Sequence, residues 1–215
     1  MAKFATAMKK LLLLTVTILA SGFCLSAQDK DDFGIWKTIT ITGRISPKWS
    51  AGICAEHRSK DMSRNLDCAL VMPNVSYRPW SFMKLDLASE FVMCSDCKQW
   101  TLRPSVSFYV PHTGNLDLSF RFLPMYEHTV ETGTSIWFLR SRAKAAYDID
   151  SIRLTPYVAS EIFTGAQWKK TRHYVGAEYS FGKHSAIDLY SLYYIMAGKT
   201  WQRHVAGIAY TFSIN

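Results

Sequence analysis

The sequence predicts an all-β protein: an antiparallel up-and-down transmembrane β-barrel of 10 to 12 strands, preceded by a cleaved signal peptide. Three observations predict it. The chain begins with a short apolar segment, continues with segments in which apolar and polar residues alternate, and carries tryptophans near the ends of those segments. We therefore expect an exported protein that lies in the cell outer membrane.

Residues 1–27 have the pattern of a signal peptide. Three lysines lie within the first ten residues, and an apolar run from Leu11 to Ala20 follows them. This run is shorter than the roughly 20 apolar residues that a membrane-spanning helix needs. We expect cleavage after Ala27, which leaves residues 28–215 as a single barrel domain.

Composition excludes two other classes of protein. No later stretch approaches the roughly 18 uncharged apolar residues of a spanning helix, so strands are the remaining way to cross a membrane. The net charge of +8 falls to +5 when the three lysines of the signal segment are removed. The remaining charges alternate with apolar residues and form no basic patch, so no nucleic-acid partner is expected.

The alternation has a period of two, which places successive side chains on opposite faces of a strand. In the clearest segment, Leu85 and Leu87 share one face, and Lys84 and Asp86 share the other. We expect the apolar face to meet lipid at Leu87, Leu118, Phe120, Val175 and Ile208. We expect the polar face to point inward at Asp86, Asp117, Arg121, Arg142 and Glu178.

Eleven segments show the pattern. They begin near Ile35, Lys48, Ala69, Phe82, Trp100, Leu116, Ile136, Arg153, Arg172, Ala186 and His204. Single-chain bacterial barrels have even strand numbers. Either a further strand lies within 59–67 or the first segment is outside the wall, and we therefore expect 10 to 12 strands.

The connections between segments are predicted to alternate in length. Tight ones are expected near Pro47 and at 78–81, 111–115, 148–151 and 182–185. Longer polar ones are expected at 59–67, 94–98, 128–135, 164–170 and 198–202. Short periplasmic turns and longer outer loops are typical of membrane barrels, and a Greek-key sandwich has no reason to keep that alternation. Interfacial tryptophans are expected at Trp49, Trp80, Trp100, Trp137, Trp168 and Trp201.

The last segment alternates to the C-terminus with Tyr210 and Phe212 on one face. It is similar to the C-terminal signal that the bacterial barrel-assembly machinery reads, although the chain ends in Asn215 instead of an aromatic residue. The expected partners are therefore outer-membrane lipid and, during biogenesis, this machinery.

Several motifs resemble the family catalogued as domain of unknown function 2490. They comprise Arg153, Pro156, Tyr157, Glu161, Ile162 and Phe163, then Arg172, Tyr174 and Gly176, and upstream Trp36, the turn Pro47-Lys48-Trp49 and the pair Glu56-x-Arg58. The resemblance covers nearly all of the mature chain. It implies an exported outer-membrane barrel and leaves the activity unassigned.

Charged side chains of both signs are predicted on the inward face. Because an unpaired charge is expensive in an apolar environment, we expect them to form a network of ion pairs. Four arginines on three successive strands form an anion-attracting strip, namely Arg140, Arg142, Arg153 and Arg172. Glu161 projects from the strand between them and is expected to pair with the strip, and Glu178 belongs to the same network. The network either braces the barrel or lines a polar conduction path.

Four cysteines remain after export. Folding the third and fourth segments about the turn at Pro79 and Trp80 places Cys68 nearly opposite Cys94, so a disulfide between them is expected, with Cys94 to Cys97 as the rival pairing. The Cys94-x-x-Cys97 spacing lacks the second pair of a zinc site. No metal or cofactor is expected.

The predicted function is that of an outer-membrane barrel with a structural or small-solute permeation role. The six histidines are scattered over turns and strand ends, and neither a Gly-x-Ser-x-Gly nor a His-Glu-x-x-His motif is present. No catalytic residue is therefore assigned. The alternatives are a membrane-embedded hydrolase of lipid or peptide, and a barrel that binds a partner through its outer loops.

Overall fold

Alternating apolar and polar residues form strands throughout the described chain. The computed structural model describes residues 33–60, 65–94, 97–111, 114–165, 169–196 and 202–214. The strands are β1 (Phe33–Arg44), β2 (Trp49–Lys60), β3 (Asn65–Trp80), β4 (Met83–Cys94), β5 (Lys98–Tyr109), β6 (Leu116–Thr129), β7 (Thr134–Tyr147), β8 (Leu154–Gly165), β9 (Lys169–Ser180), β10 (Ser185–Met196) and β11 (Gln202–Ile214). A short 3-10 turn, Asp150–Ile152, precedes β8. The described part of the chain contains no helix with the length and apolarity needed to cross a membrane.

Neighbouring strands pair antiparallel in sequence order, and the sheet closes into a barrel. The closing pair is β1 with β11, which run parallel, from Phe33 opposite His204 to Gly43 opposite Ile214. An odd number of up-and-down strands can close only through one parallel pair. The predicted all-β barrel of 10 to 12 strands is confirmed, with eleven strands among the described residues. The first segment belongs to the wall, so the even strand number of single-chain bacterial barrels does not apply here.

The barrel has two ends, which we define by the closing pair. The upper end is where β1 and β11 begin, and the lower end is where both finish. The lower connections are 45–48, 81–82, 110–115, 148–153 and 181–184, and the upper ones are 61–64, 95–97, 130–133, 166–168 and 197–201. The predicted contrast between short and long connections is therefore wrong. Polar residues such as Ser59 and Asp67 continue the strands, because ladder hydrogen bonds are made by the backbone.

The outward face is apolar in its middle. Leu87, Phe120 and Ile208 are among the exposed large hydrophobic residues, as predicted from the alternation. Leu118 and Val175 lie on the same side of their strands and are half-buried. An apolar outer surface of this kind is the face that a membrane barrel presents to lipid.

Aromatic rings lie at both borders of this apolar surface. At the lower end Trp49 contacts Tyr77, with ring centroids 4.6 Å apart. At the upper end Tyr126 lies 5.9 Å from Trp100 and 4.9 Å from Trp137. Two such girdles are typical of transmembrane barrels. The predicted Trp168 and Trp201 lie outside the described residues, as does the predicted signal peptide, residues 1–27.

The inward face carries both a packed core and the polar network. Leu192 and Val205 are almost completely buried against Trp36 of β1 and against residues of β7 to β11 such as Tyr157. The ring of Tyr190 occupies the space that a side chain at position 207 would need, so β11 has a glycine there. This packing fills one side of the lumen and directs the arginines toward the remaining space.

Candidate functional site in the lumen

Glu161 is the centre of the charged network. It lies in β8, where the register places it opposite Arg142 of β7 and Arg172 of β9. Its side chain is 0% exposed. Arg140 donates to both carboxylate oxygens, from Nη2 to Oε1 at 2.7 Å and from Nε to Oε2 at 3.1 Å. A bidentate, charge-assisted pair of this kind is among the strongest polar contacts in proteins.

The same carboxylate faces three more donors. The hydroxyl of Tyr174 donates to Oε2 at 3.0 Å, and Arg121 donates through Nη2 to Oε1 at 3.4 Å. Arg142 Nη1 lies 3.7 Å from Oε1. Arg121 and Arg142 are themselves directly opposite in the β6–β7 register. Because like charges directly opposite destabilise a sheet, Glu161 is the group that makes this arrangement tolerable.

Two further ion pairs lie on the facing wall. Glu56 pairs with Arg58 and also accepts a hydrogen bond from Thr38 Oγ1 at 3.1 Å, and Glu90 pairs with Arg103. Together with the Glu161 cluster they form what we call the central layer. Its members are Arg58, Arg103, Arg121, Arg140, Arg142, Arg172, Glu56, Glu90 and Glu161. Six guanidinium groups thus face three carboxylates, and the layer carries a surplus of positive charge.

Arg172 differs from the other arginines of the central layer. It forms no salt bridge in the described structure, although it is only 7% exposed. Its guanidinium carbon lies 5.1 Å from the ring centroid of Trp36, 4.8 Å from Phe163 and 5.1 Å from Tyr194. Its Nε and the indole Nε1 of Trp36 are buried without a hydrogen-bond partner. Cation–π contacts stabilise such a charge in part, and they do not supply the hydrogen-bond acceptor that the buried Nε lacks.

The structure separates two of the predicted network residues from this cluster. The prediction that Arg153 belongs to the arginine strip is wrong. Arg153 lies exposed in the lower connection before β8, with a φ of 54°, and closes the 3-10 turn. The alternation does not reveal that β8 begins one residue later. Glu178 is half-buried opposite Asp188 in the β9–β10 register, nearer the lower end, and has no hydrogen bond or ion pair with Glu161. Arg140, Arg142, Glu161 and Arg172 do come together.

The described residues line three cavities along the lumen. The upper cavity has a volume of about 260 Å³, the central one about 190 Å³ and the lower one about 330 Å³. The upper and central cavities meet at six shared lining residues, which are Trp36, Arg58, Glu90, Arg103, Arg140 and Arg172. The lumen is therefore a row of small polar spaces around the central layer.

Positive charge is in excess in every one of these cavities. Six cationic and three carboxylate side chains line the upper cavity, and five cationic and three carboxylate side chains line the central one. The described lining of the lower cavity contains no carboxylate and four cations, Arg44, Lys48, Arg78 and Lys84. The charge of Lys84 is partly balanced by Asp86, whose Oδ1 lies 2.7 Å from Lys84 Nζ. The side chains that line these three cavities therefore carry more positive than negative charge.

The four cysteines among the described residues are free thiols in the structure, namely Cys54, Cys68, Cys94 and Cys97. Cys68 lies directly opposite Cys94 in the β3–β4 register, as the sequence predicted, and the backbone N–H of Cys94 donates to the carbonyl of Cys97 at 2.8 Å. Cys54 is buried on the inward face. Among the described residues, no group of three or more His, Cys, Asp or Glu side chains could hold a metal ion.

Two Ser–His contacts occur that the sequence did not reveal. Ser160 Oγ lies 3.1 Å from His173 Nδ1 on the outward side of β8 and β9, and Ser135 Oγ lies 2.9 Å from His128 Nδ1 at the upper end. Each pair joins two strands, so strand register was needed to find them. In the part of the chain that the structure describes, neither histidine hydrogen-bonds a carboxylate that would orient it for catalysis.

Comparison with known proteins supports the barrel and its family. A solved structure described as "NanC porin structure in rhombohedral crystal form" is similar with a TM-score of 0.58 at 12% sequence identity. The match covers 85% of this chain and 98% of that chain, and at this identity it shows the fold alone. No curated protein matches the chain. A family model matches residues 33–204, and the chain therefore belongs to the family described as protein of unknown function (DUF2490).

Proposed function

We propose that this protein is an outer-membrane β-barrel that passes small solutes through its lumen and prefers anions. The observation that carries the proposal is the row of three cavities, each of which is lined by more cationic than carboxylate side chains. The apolar outward face and the two aromatic girdles support a position in lipid.

The charge surplus matters because the lumen is narrow. An ion that enters it loses part of its hydration shell, and fixed groups must replace those contacts. Guanidinium groups in excess offer an anion several hydrogen-bond donors and repel a cation. The central layer also restricts the path, so the solutes must be small.

Planar-bilayer recording tests the proposal. The mature chain, residues 28–215, would be refolded in detergent and added to an electrically tight bilayer. Discrete unitary steps are expected from the folded protein, and none from the same protein kept unfolded in urea. A folded barrel that stays silent in many insertions would contradict the permeation role and leave the central layer as a structural brace.

Location and assembly belong to the same proposal. The exposed Ile208, Phe212 and Ile214 of β11 support insertion into the outer membrane by the barrel-assembly machinery. The mature protein should fractionate with outer membranes and should lack residues 1–27. Recovery as a soluble periplasmic protein without detergent would defeat the proposal.

A membrane-embedded hydrolase is the second candidate, and the contact between Ser160 and His173 is what favours it. The surroundings speak against it. The outward residues on either side of Ser160 along β8 are the exposed Val158 and Ile162. The backbone N–H groups of β8 form hydrogen bonds with the neighbouring strands, so they are not free to stabilise an oxyanion. Phospholipid turnover by the refolded protein that disappears in Ser160→Ala would place this candidate first. The third alternative, partner binding through outer loops, involves 59–67, of which 61–64 lie outside the described residues.

A further inference from the structure

We propose that the junction of the upper and central cavities is a binding site for a small organic carboxylate, with Arg172 as its charge partner. The site lies on the path of the proposed permeation and so deepens that proposal. Its binding can nevertheless be measured without any conductance.

Arg172 forms no salt bridge of its own in the described part of the chain, although Glu161 lies opposite it. The other arginines at the junction, Arg58, Arg103 and Arg140, each pair with a glutamate. Arg172 faces Glu161 across the register, but the carboxylate there already accepts hydrogen bonds from Arg140, Tyr174 and Arg121. A guanidinium that is 93% buried without a salt bridge is costly unless an anion joins it.

The indole of Trp36 also lacks a hydrogen-bond partner among the described residues at this junction, and it is 5% exposed. Its Nε1 is buried and has no hydrogen-bond partner, while Arg58 and Arg172 both contact its ring, with their guanidinium carbons 4.4 and 5.1 Å from its centroid. Buried indole N–H groups usually have an acceptor. An anion at this junction would supply one, because Trp36 and Arg172 both line the two cavities that meet here.

The surrounding groups indicate the class of anion. Phe163 and Tyr194 contact Arg172 and offer aromatic rings on which the C–H groups of an organic acid can pack, and an inorganic ion lacks such groups. The upper cavity, at about 260 Å³, is smaller than the roughly 300 to 1,000 Å³ of sites for drug-sized ligands. These features fit a small carboxylic acid that places its carboxylate on Arg172 and Trp36 Nε1.

Isothermal titration of the refolded barrel in detergent tests the site, with sodium gluconate as the probe and glucose as its uncharged counterpart. Wild-type protein should bind gluconate and not glucose. Arg172→Gln, which keeps hydrogen-bonding capacity and removes the charge, should weaken binding roughly tenfold or more. Trp36→Phe, which keeps an aromatic ring and removes the N–H, should weaken it several-fold. Arg78→Gln makes the same charge change in the lower cavity and should leave binding within about twofold.

The outcomes are distinct once β-sheet circular dichroism shows that each variant is folded. Unchanged binding in Arg172→Gln, or equal losses in Arg172→Gln and Arg78→Gln, would overturn the site. Sodium chloride that displaces gluconate at equal concentration would overturn the preference for organic acids. A folded wild-type barrel that conducts but does not bind gluconate would refute the site and leave permeation standing, whereas binding by a silent barrel would support the site and refute permeation.

Discussion

At the residue scale, one carboxylate neutralises several guanidinium groups. Glu161 is completely buried, and its partners come from β6, β7 and β9. Removing one partner of a buried ion pair leaves an uncompensated charge, which typically costs about 3 to 5 kcal/mol. The positive surplus of the central layer makes that loss especially unfavourable.

Glu161→Gln should therefore lower the free energy of unfolding of the barrel by about 3 kcal/mol or more. The measurement is urea-induced unfolding from lipid vesicles, followed by tryptophan fluorescence. Glu178→Gln is the matched control, because Glu178 is half-buried and outside the Glu161 cluster, and it should shift the midpoint much less. Equal shifts in the two variants would show that Glu161 has no special role.

We also propose that Cys68 and Cys94 form a disulfide in the oxidising compartment outside the inner membrane. Directly opposite residues in an antiparallel pair have Cα atoms about 4.5 to 5.5 Å apart, which suits a disulfide. Peptide mapping of protein purified without reductant should find this link, and Cys97→Ser should preserve it. A Cys94–Cys97 link in the wild-type chain, or free thiols at both Cys68 and Cys94, would contradict the prediction.

At the element scale, the strands determine which side chains meet lipid. Leu87 lies in the middle of β4 on the outward face and is 49% exposed, while Ile45 lies in the lower connection before β2 and is 68% exposed. Both positions have open surroundings, but they differ in their expected depth in the bilayer. This difference allows the same substitution to be compared at two depths.

Leu87→Arg should destabilise the membrane-inserted barrel by about 2 to 4 kcal/mol, whereas Ile45→Arg should cost about 0 to 1 kcal/mol, because the penalty for arginine falls toward the interface. Folding into lipid vesicles at graded urea concentrations measures both values. If Leu87→Arg folded as well as Ile45→Arg, the outward face of β4 would not meet lipid.

Strand faces could be predicted from the sequence, but the long-range pairing could not. A period of two suffices to put Leu87 outside and Asp86 inside, and likewise to direct Glu161 inward. The parallel pair of β1 and β11 joins the two ends of the chain, and no local pattern reports it. Arg153 was misplaced for a related reason, because its left-handed turn shifts the start of β8 by one residue.

The residues of the candidate site could likewise be predicted from the sequence only in part. The alternation of polar and apolar residues in the sequence predicts that Arg140, Arg142 and Arg172 lie on the inward face and form a strip. The rings around Arg172 come from β1, β8 and β10, and only their register brings Trp36, Phe163 and Tyr194 to one point.

At the scale of the whole molecule, the central claim is that a barrel with an apolar exterior encloses a lumen with surplus positive charge. All three cavities share that surplus, so selectivity does not depend on any single arginine. A lumen that only braced the wall would have no need of an excess of one sign, since paired charges brace equally well.

The reversal potential of the refolded wild-type barrel under a tenfold gradient of potassium chloride tests this claim most directly. The account predicts a potential with the sign of chloride permeation, and a smaller one at high total salt, where fixed charges are screened. A potential with the sign of potassium permeation would contradict it.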